Sequence, residues 1–240
     1  NEISGGTIGG DAFAADCDDG GDITGDFYGP ATPTDCTYSS FILQSPPTPI
    51  PFPISSTDVD TWKADAGAGG TTGDFSKNSG VWTLGPKKII GNLIIENTAQ
   101  LEMTGTLWVT GNVNIKNTGQ VRLDSGYGTT SGMIVAEGTI TLENNTISSG
   151  SGQAGSYLMY LSTSSLDPAL TIKNFAVADI LYTTNGFTQI ENNTNLREVT
   201  AYGVRLKNSA KLTYEIGLQT TAFTSGPGGG WKVTSWKEIE

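Results

Sequence analysis

The 240-residue sequence predicts an all-β fold, a right-handed parallel β-helix (β-solenoid) with coils of about 20 residues and one short capping helix. Three observations carry the prediction. The 32 Gly and 10 Pro, with abundant Thr, Ile, Val and Asn, suit many short strands between turns rather than helices. The stretch from Gly91 to Met103 returns as Gly111 to Leu123, a shift of 20 residues with six identities and three apolar exchanges. Its core, Ile or Leu followed by Glu or Lys and then Asn, recurs at Ile95-Glu96-Asn97, Ile115-Lys116-Asn117, Leu142-Glu143-Asn144, Ile172-Lys173-Asn174, Ile190-Glu191-Asn192 and Leu206-Lys207-Asn208. Spacings averaging about 22 residues match one solenoid coil with loops inserted into some coils.

Each position of the repeat has a physical task. Coils stacked in register place residues one repeat apart roughly 4.8 Å apart. Glu96, Lys116, Glu143, Lys173, Glu191 and Lys207 then form a surface column whose sign alternates at every step. Each exposed pair contributes only about 0–1 kcal/mol, so the column acts chiefly against slipped registers, which would set like charges together. The Asn column (Asn97, Asn117, Asn144, Asn174, Asn192, Asn208) belongs at a coil corner, where Asn accepts positive φ and its amide reaches the Asn above and below. Leu93, Ile95, Leu101 and Met103, with Val113, Ile115, Val121 and Leu123, recur at period two and should fill the bore. The same spacing in Val204, Leu206, Leu212 and Tyr214 carries the solenoid to about residue 216.

The chain divides into three parts. Residues 1–38 hold two weaker echoes, Ile8-Gly9-Gly10-Asp11-Ala12-Phe13 and Ile23-Thr24-Gly25-Asp26-Phe27-Tyr28, read as short acidic coils. Cys17 and Cys36 fall one coil apart there, and a disulfide would staple them, two buried thiols being the alternative. Residues 39–80 contain Pro46, Pro47, Pro49, Pro51 and Pro53, which cannot pair in a central sheet and suit an extended crossover. A short helix through Val59, Trp62 and Ala66 follows, capped by Ser56 or Thr57, and is expected to plug one end of the bore. Residues 81–240 form the main solenoid, with loop insertions near 126–132 and 148–156 and a final strand bearing Trp231 and Trp236.

Charge and composition exclude several functions. The absence of histidine removes imidazole triads and His-ligated zinc. The formal charge of −11, with no basic stripe, argues against nucleic acid and anionic lipid as partners. No apolar run is long enough to span a membrane, and the sequence opens at Asn1 without Met, which fits a leader or anchor removed upstream.

Candidate sites are few. Asp16, Asp18, Asp19, Asp22 and Asp26 offer carboxylates to Ca²⁺, although Gly20 stands where an EF-hand loop wants an acid. Calcium is thus the one cofactor to consider, against a solvated acidic turn. Glu102, Lys116, Arg122 and Asp124 could serve a polysaccharide-cleaving β-helix, but the stack pairs Glu102 with Arg122. Tyr127, Tyr157 and Tyr160 lie in or beside the insertions and are candidate stacking surfaces for sugar rings. Asn144-Asn145-Thr146 and Asn192-Asn193-Thr194 match the N-glycosylation pattern, yet their first Asn belongs to the column.

The segments Leu84-Gly85-Pro86-Lys87-Lys88-Ile89-Ile90-Gly91-Asn92-Leu93, Gly105-Thr106-Leu107-Trp108-Val109-Thr110-Gly111-Asn112, Ser151-Gly152-Gln153-Ala154-Gly155-Ser156-Tyr157 and the ending from Gly228 to Glu238 resemble the β-helical region of PilX-like, type IV pilus-associated surface proteins of bacteria. The resemblance covers about residues 60–240 and implies a location and partners rather than a chemistry. The expectation is a non-enzymatic structural subunit of an extracellular appendage or cell surface, a minor pilin or a tip-like or spacer-like piece, contacting other pilus or surface proteins. The alternatives are a glycan-binding adhesin, a polysaccharide-cleaving enzyme and a self-polymerising solenoid filament.

Overall fold

The computed structural model describes residues 2–45, 52–208, 210–212 and 223. They form a parallel β-solenoid. One side of the rod is a seven-stranded sheet, in order Phe75–Lys77, Leu93–Glu96, Val113–Lys116, Ile140–Glu143, Leu170–Lys173, Phe187–Glu191 and Gly203–Lys207, one strand per coil. A 12-stranded sheet wraps the other two sides, and the long strand Val177–Thr183 passes through the corner that joins them. All pairings in it are parallel, as a continuous winding requires.

The register is that of the repeat. Glu96 faces Lys116, Lys116 faces Glu143, Glu143 faces Lys173, and Glu191 faces Lys207. Ion pairs close at Lys116–Glu96 (3.2 Å) and Lys173–Glu143 (3.1 Å). All six Asn of the column have positive φ, from 51° to 61°. Their amides form a ladder in which Asn144 donates to Asn117 (3.0 Å), Asn174 to Asn144 (2.8 Å) and Asn192 to Asn174 (2.7 Å). The next residue, Thr118, Asn145, Phe175 or Asn193, is also left-handed, and a small residue follows: Ala99, Gly119, Thr146, Ala176 or Thr194. The corner turns sharply, and only a small side chain fits inside it.

A second ladder supports the opposite corner. Asn92 N–H donates to Asp74 (2.6 Å), Asn112 N–H to Asn92 (2.8 Å) and Thr139 N–H to Asn112 (2.8 Å). The preceding glycines are obligatory because a Cβ at Gly91 or Gly138 would lie 2.1 or 2.3 Å from the ladder oxygen. Asp11 and Asp26 repeat the device in the N-terminal coils, where Asp26 N–H donates to Asp11 (2.9 Å).

The bore is apolar. Leu93, Ile95, Leu101, Met103, Val113, Ile115, Val121, Ile140, Leu142 and Ile172 are fully enclosed. Each stabilises the rod by about 1.5–3 kcal/mol relative to exposure.

The helix α1 (Ser56–Ala68) forms where expected, with its cap one residue earlier: Ser55 and Asp58 make a reciprocal capping box. It does not enter the bore. Val59 and Trp62 pack with Met133, Val135, Met159, Ile180 and Tyr182, the outward side chains of the flanking sheet, while their neighbours Ile134, Tyr160 and Leu181 face inward. Two-sided burial explains the continuous apolar run of these strands. Thirteen helical residues reach ~20 Å, about four coil spacings.

The N-terminal coils end later than residue 38 and the main solenoid starts earlier than residue 81: Phe41–Leu43 still pairs with Phe27–Gly29, and Thr71–Thr72 and Phe75–Lys77 already pair with the next main coil. The N-terminal block packs on the last main strand, with Gly5 and Gly6 against Leu206. It therefore stands at the end opposite to the first main coil, that of Thr71–Thr72 and Phe75–Lys77. The Pro-rich crossover between these ends has Pro46, Pro47, Pro49 and Pro51 outside the described residues; Phe52 and Ile54 lie at Tyr182, whose hydroxyl accepts from Ile54 N–H (3.2 Å). Tyr214, Trp231 and Trp236 also lie outside the described residues.

Candidate functional surface

The residues proposed from sequence are distributed as follows. Cys17 and Cys36 are joined in a disulfide between consecutive N-terminal coils. The acidic residues nearby point to separate partners: Asp16 accepts from Cys17 N–H (2.8 Å), Asp22 from the Thr37 hydroxyl (2.5 Å) and Asp26 from the Ser40 hydroxyl (2.5 Å). Asp18 lies in the same strand as Asp16, and Asp19 takes a left-handed turn position. Among the described residues no group of three or more His, Cys, Asp or Glu is placed to hold a metal ion, and no helix is long and apolar enough to cross a membrane.

The sugar-stacking assignment of the tyrosines is corrected by their burial. Tyr127, Tyr157 and Tyr160 are 2%, 5% and 0% exposed, so none presents a ring face. Tyr127 and Tyr160 turn into the bore and Tyr157 belongs to the cluster under α1. Burial raises the pKa of Tyr127 and Tyr160, and the Tyr160 hydroxyl meets that of Ser148 at 2.7 Å. The carboxylates advanced for cleavage are likewise occupied. Arg122 reaches Glu102 at 3.2 Å, Asp124 accepts from Gly126 N–H at the start of a turn, and Lys116 stands on a different sheet beside Glu96.

What the insertions build is a paired-loop corner. Residues 124–131 and 150–157 lie on adjacent coils: Ser156 Oγ donates to Thr130 C=O (2.7 Å), Tyr157 N–H donates to Ser131 Oγ (2.9 Å), and the Ser151 hydroxyl donates to Gly128 C=O. Asp179 closes the neck of the second loop. One of its oxygens accepts from both Gly150 N–H and Leu158 N–H (3.0 Å each), and the other from Arg197 Nε (3.0 Å). Asp179 is 5% exposed, and burial raises its pKa against the opposing pull of these donors and the guanidinium. A lone acid within Val177-Ala178-Asp179-Ile180-Leu181-Tyr182 is the sequence signal that marks it, since an apolar strand accommodates a carboxylate only with dedicated partners. Arg197 places a half-exposed cation at the loop corner, 5.8 Å from the Tyr157 ring centroid.

A second acid sits beside this corner. Glu198 has one oxygen bonded to Thr200 (3.4 Å) and one buried with no hydrogen-bond partner among the described residues, and burial lifts its pKa from 4.5 to about 7. The folded chain thus holds this proton more tightly than the unfolded chain. Stability is expected to fall as pH rises from about 4.5 to about 7 and to level off above. Glu198→Gln should flatten that window and raise stability above pH 7 by about 2 kcal/mol, allowing for the part of the side chain open to water, as read by denaturant melts across pH.

The exposed apolar residues are also ordered by the repeat. Ile147 and Val177 are register partners on the outer surface, and Phe175 stands two residues before Val177, all three exposed. Fold and surface together define a parallel β-solenoid rod with a laterally docked helix and a rigid two-loop corner. Comparison of the chain with protein families, with curated proteins and with solved structures found no match.

Proposed function

We propose that this chain is a non-enzymatic structural subunit of an extracellular appendage or cell surface, a pilus-associated spacer or tip-like piece that presents its loop corner to other surface proteins. The observation that carries the reading is the continuous in-register stacking of seven coils, extended by the disulfide-linked N-terminal block. Such a rod resists bending because successive strands are joined by backbone hydrogen bonds, and side-chain ladders pin its corners. A disulfide suits an oxidising compartment. The likeness of the Gly-Asn segments and the loop 151–157 to PilX-like surface proteins supports the pilus in particular.

Immunogold labelling of intact cells and blotting of sheared appendages test the reading. Label on filaments and recovery in the sheared fraction are expected; retention of the protein inside the cell would refute it. A glycan-binding reading is favoured by one feature only, the half-exposed Arg197 beside the paired loops. Arg197→Ala abolishing retention on a glycan array would select that reading.

A further inference from the structure

One column of the bore changes character at one end of the rod. Ile95, Ile115, Leu142, Ile172, Ile190 and Leu206 are successive register partners in the seven-stranded sheet, and the first five are fully buried. The position that precedes them, paired with Ile95, is Lys77. Its neighbours in the same coil keep the apolar pattern, Phe75 pairing with Leu93 and Trp82 with Leu101. At the far end of the column Leu206 is covered, because Gly5 and Gly6 of the N-terminal block lie against it. The column is therefore aliphatic wherever another coil or block sits on it, and cationic where the winding stops.

Lys77 does not turn away from the mouth of the bore. Its Nζ lies 3.8 Å from the centroid of the Trp82 ring and 5.0 Å from that of Phe75, so the side chain crosses from the seven-stranded wall to the 12-stranded one. Trp82 is held in turn by its indole N–H, which donates to Ser79 C=O (2.8 Å), and it remains 41% exposed. The ammonium thus has aromatic faces on its inner side and makes no ion pair among the described residues. Water serves its three N–H donors.

The strands of this coil, Thr71–Thr72, Phe75–Lys77 and Val81–Leu84, are each terminal in their sheet, with one edge lacking a strand partner among the described residues. Such edges are templates for pairing with another chain, and an inward-pointing charge is one of the devices that prevents it. A coil seated here would take the Lys77 ammonium out of water with no acceptor for its donors, and an unpaired buried ion is among the heaviest penalties a contact carries. Two copies meeting by this end would bring two such groups into one apolar mouth. We propose that Lys77 closes this end of the rod to further strands, so that the first main coil is a terminus through which one copy of the chain cannot stack on another. The inference goes beyond the structural role above and does not depend on the pilus: it fixes which end of the rod cannot serve end-to-end growth.

Sedimentation velocity of the full chain over rising concentration tests the proposal. Lys77→Met keeps an unbranched stem over Trp82 and Phe75 and removes the charge. It is expected to bring self-association to a concentration below the wild type's by roughly a hundredfold or more. Lys77→Arg retains a cation and should stay monomeric like the wild type. Lys77→Met/Trp82→Glu returns a charge to the same mouth and should restore the monomer, which places the contact at this end. A folded Lys77→Met chain that stays monomeric, a Lys77→Arg chain that associates as readily as Lys77→Met, or association of Lys77→Met that survives Trp82→Glu would each overturn the inference. Wild-type association that Trp82→Glu abolishes would overturn it too. Failure of Lys77→Met to fold counts against it equally, because the ammonium would then serve its own coil and not the exclusion of another.

Discussion

Asp179→Ala is expected to lower the stability of the rod by about 3–4 kcal/mol, a large part of the roughly 5–15 kcal/mol that holds a domain folded. The substitution strands two buried N–H donors, those of Gly150 and Leu158, and deprives the Arg197 guanidinium of its carboxylate. Because these donors flank the loop 150–157, the effect begins there. Hydrogen exchange should show the Gly150 and Leu158 amides losing protection before the bore strands do, and the loss should spread to residues 124–131 through the Ser156–Thr130 and Tyr157–Ser131 bonds. Asp179→Asn keeps the shape and one acceptor oxygen, so it should cost less than half as much. Equal melting of the two variants would contradict the role given to the acceptor oxygen that asparagine retains for the Gly150 and Leu158 N–H groups.

The Asn ladder should respond nearly as strongly. Asn144 donates to Asn117, accepts from Asn174 and holds φ at 61°. Asn144→Ala removes both bonds, at about 0.5–1.5 kcal/mol each, and replaces a residue that tolerates the left-handed region with one that does not, at about 1–2 kcal/mol more, so a loss of about 2–5 kcal/mol is expected. Asn144→Gly keeps the backbone relaxed and should cost roughly 1 kcal/mol less than alanine. Thermal or urea melts of the pair separate hydrogen bonding from backbone strain.

Much of this architecture was legible because a solenoid writes its stacking into a one-dimensional repeat. The alternation from Glu96 to Lys207 and the recurrence of Asn reported neighbours a coil apart without any knowledge of the path between them. What escaped was information that has no period. The tyrosines of the insertions stand among Gly and Ser and so look solvated, yet Tyr127 folds beneath its own loop into the bore. Helix α1 carries a short apolar stripe that matches either a bore end or a flank; the choice lies in Met133, Val135 and Met159, outward residues that are apolar only because something covers them. The Gly-Asn pairs at 91–92 and 111–112 were visible as repetition, but their work, accepting the next coil's N–H where a Cβ would collide, depends on a corner geometry that spacing does not reveal. Likewise Asp11 reads only as part of an acidic coil, and Asp26 as a candidate calcium ligand, until their ladder bonds are seen.

The central claim, that successive coils sit in register, is tested most directly by cross-linking across the seven-stranded sheet. Thr141 and Thr171 are register partners on its outer surface, 30 positions apart in sequence. Neighbouring parallel strands stand about 4.8 Å apart, within disulfide reach, whereas a partner two residues further along lies about 6–7 Å along the strand as well. Oxidation of Thr141→Cys/Thr171→Cys protein should give a near-complete internal cross-link, and Thr141→Cys/Lys173→Cys protein should remain reduced under the same conditions. Equal cross-linking of both pairs, or of neither, would contradict the stacked rod.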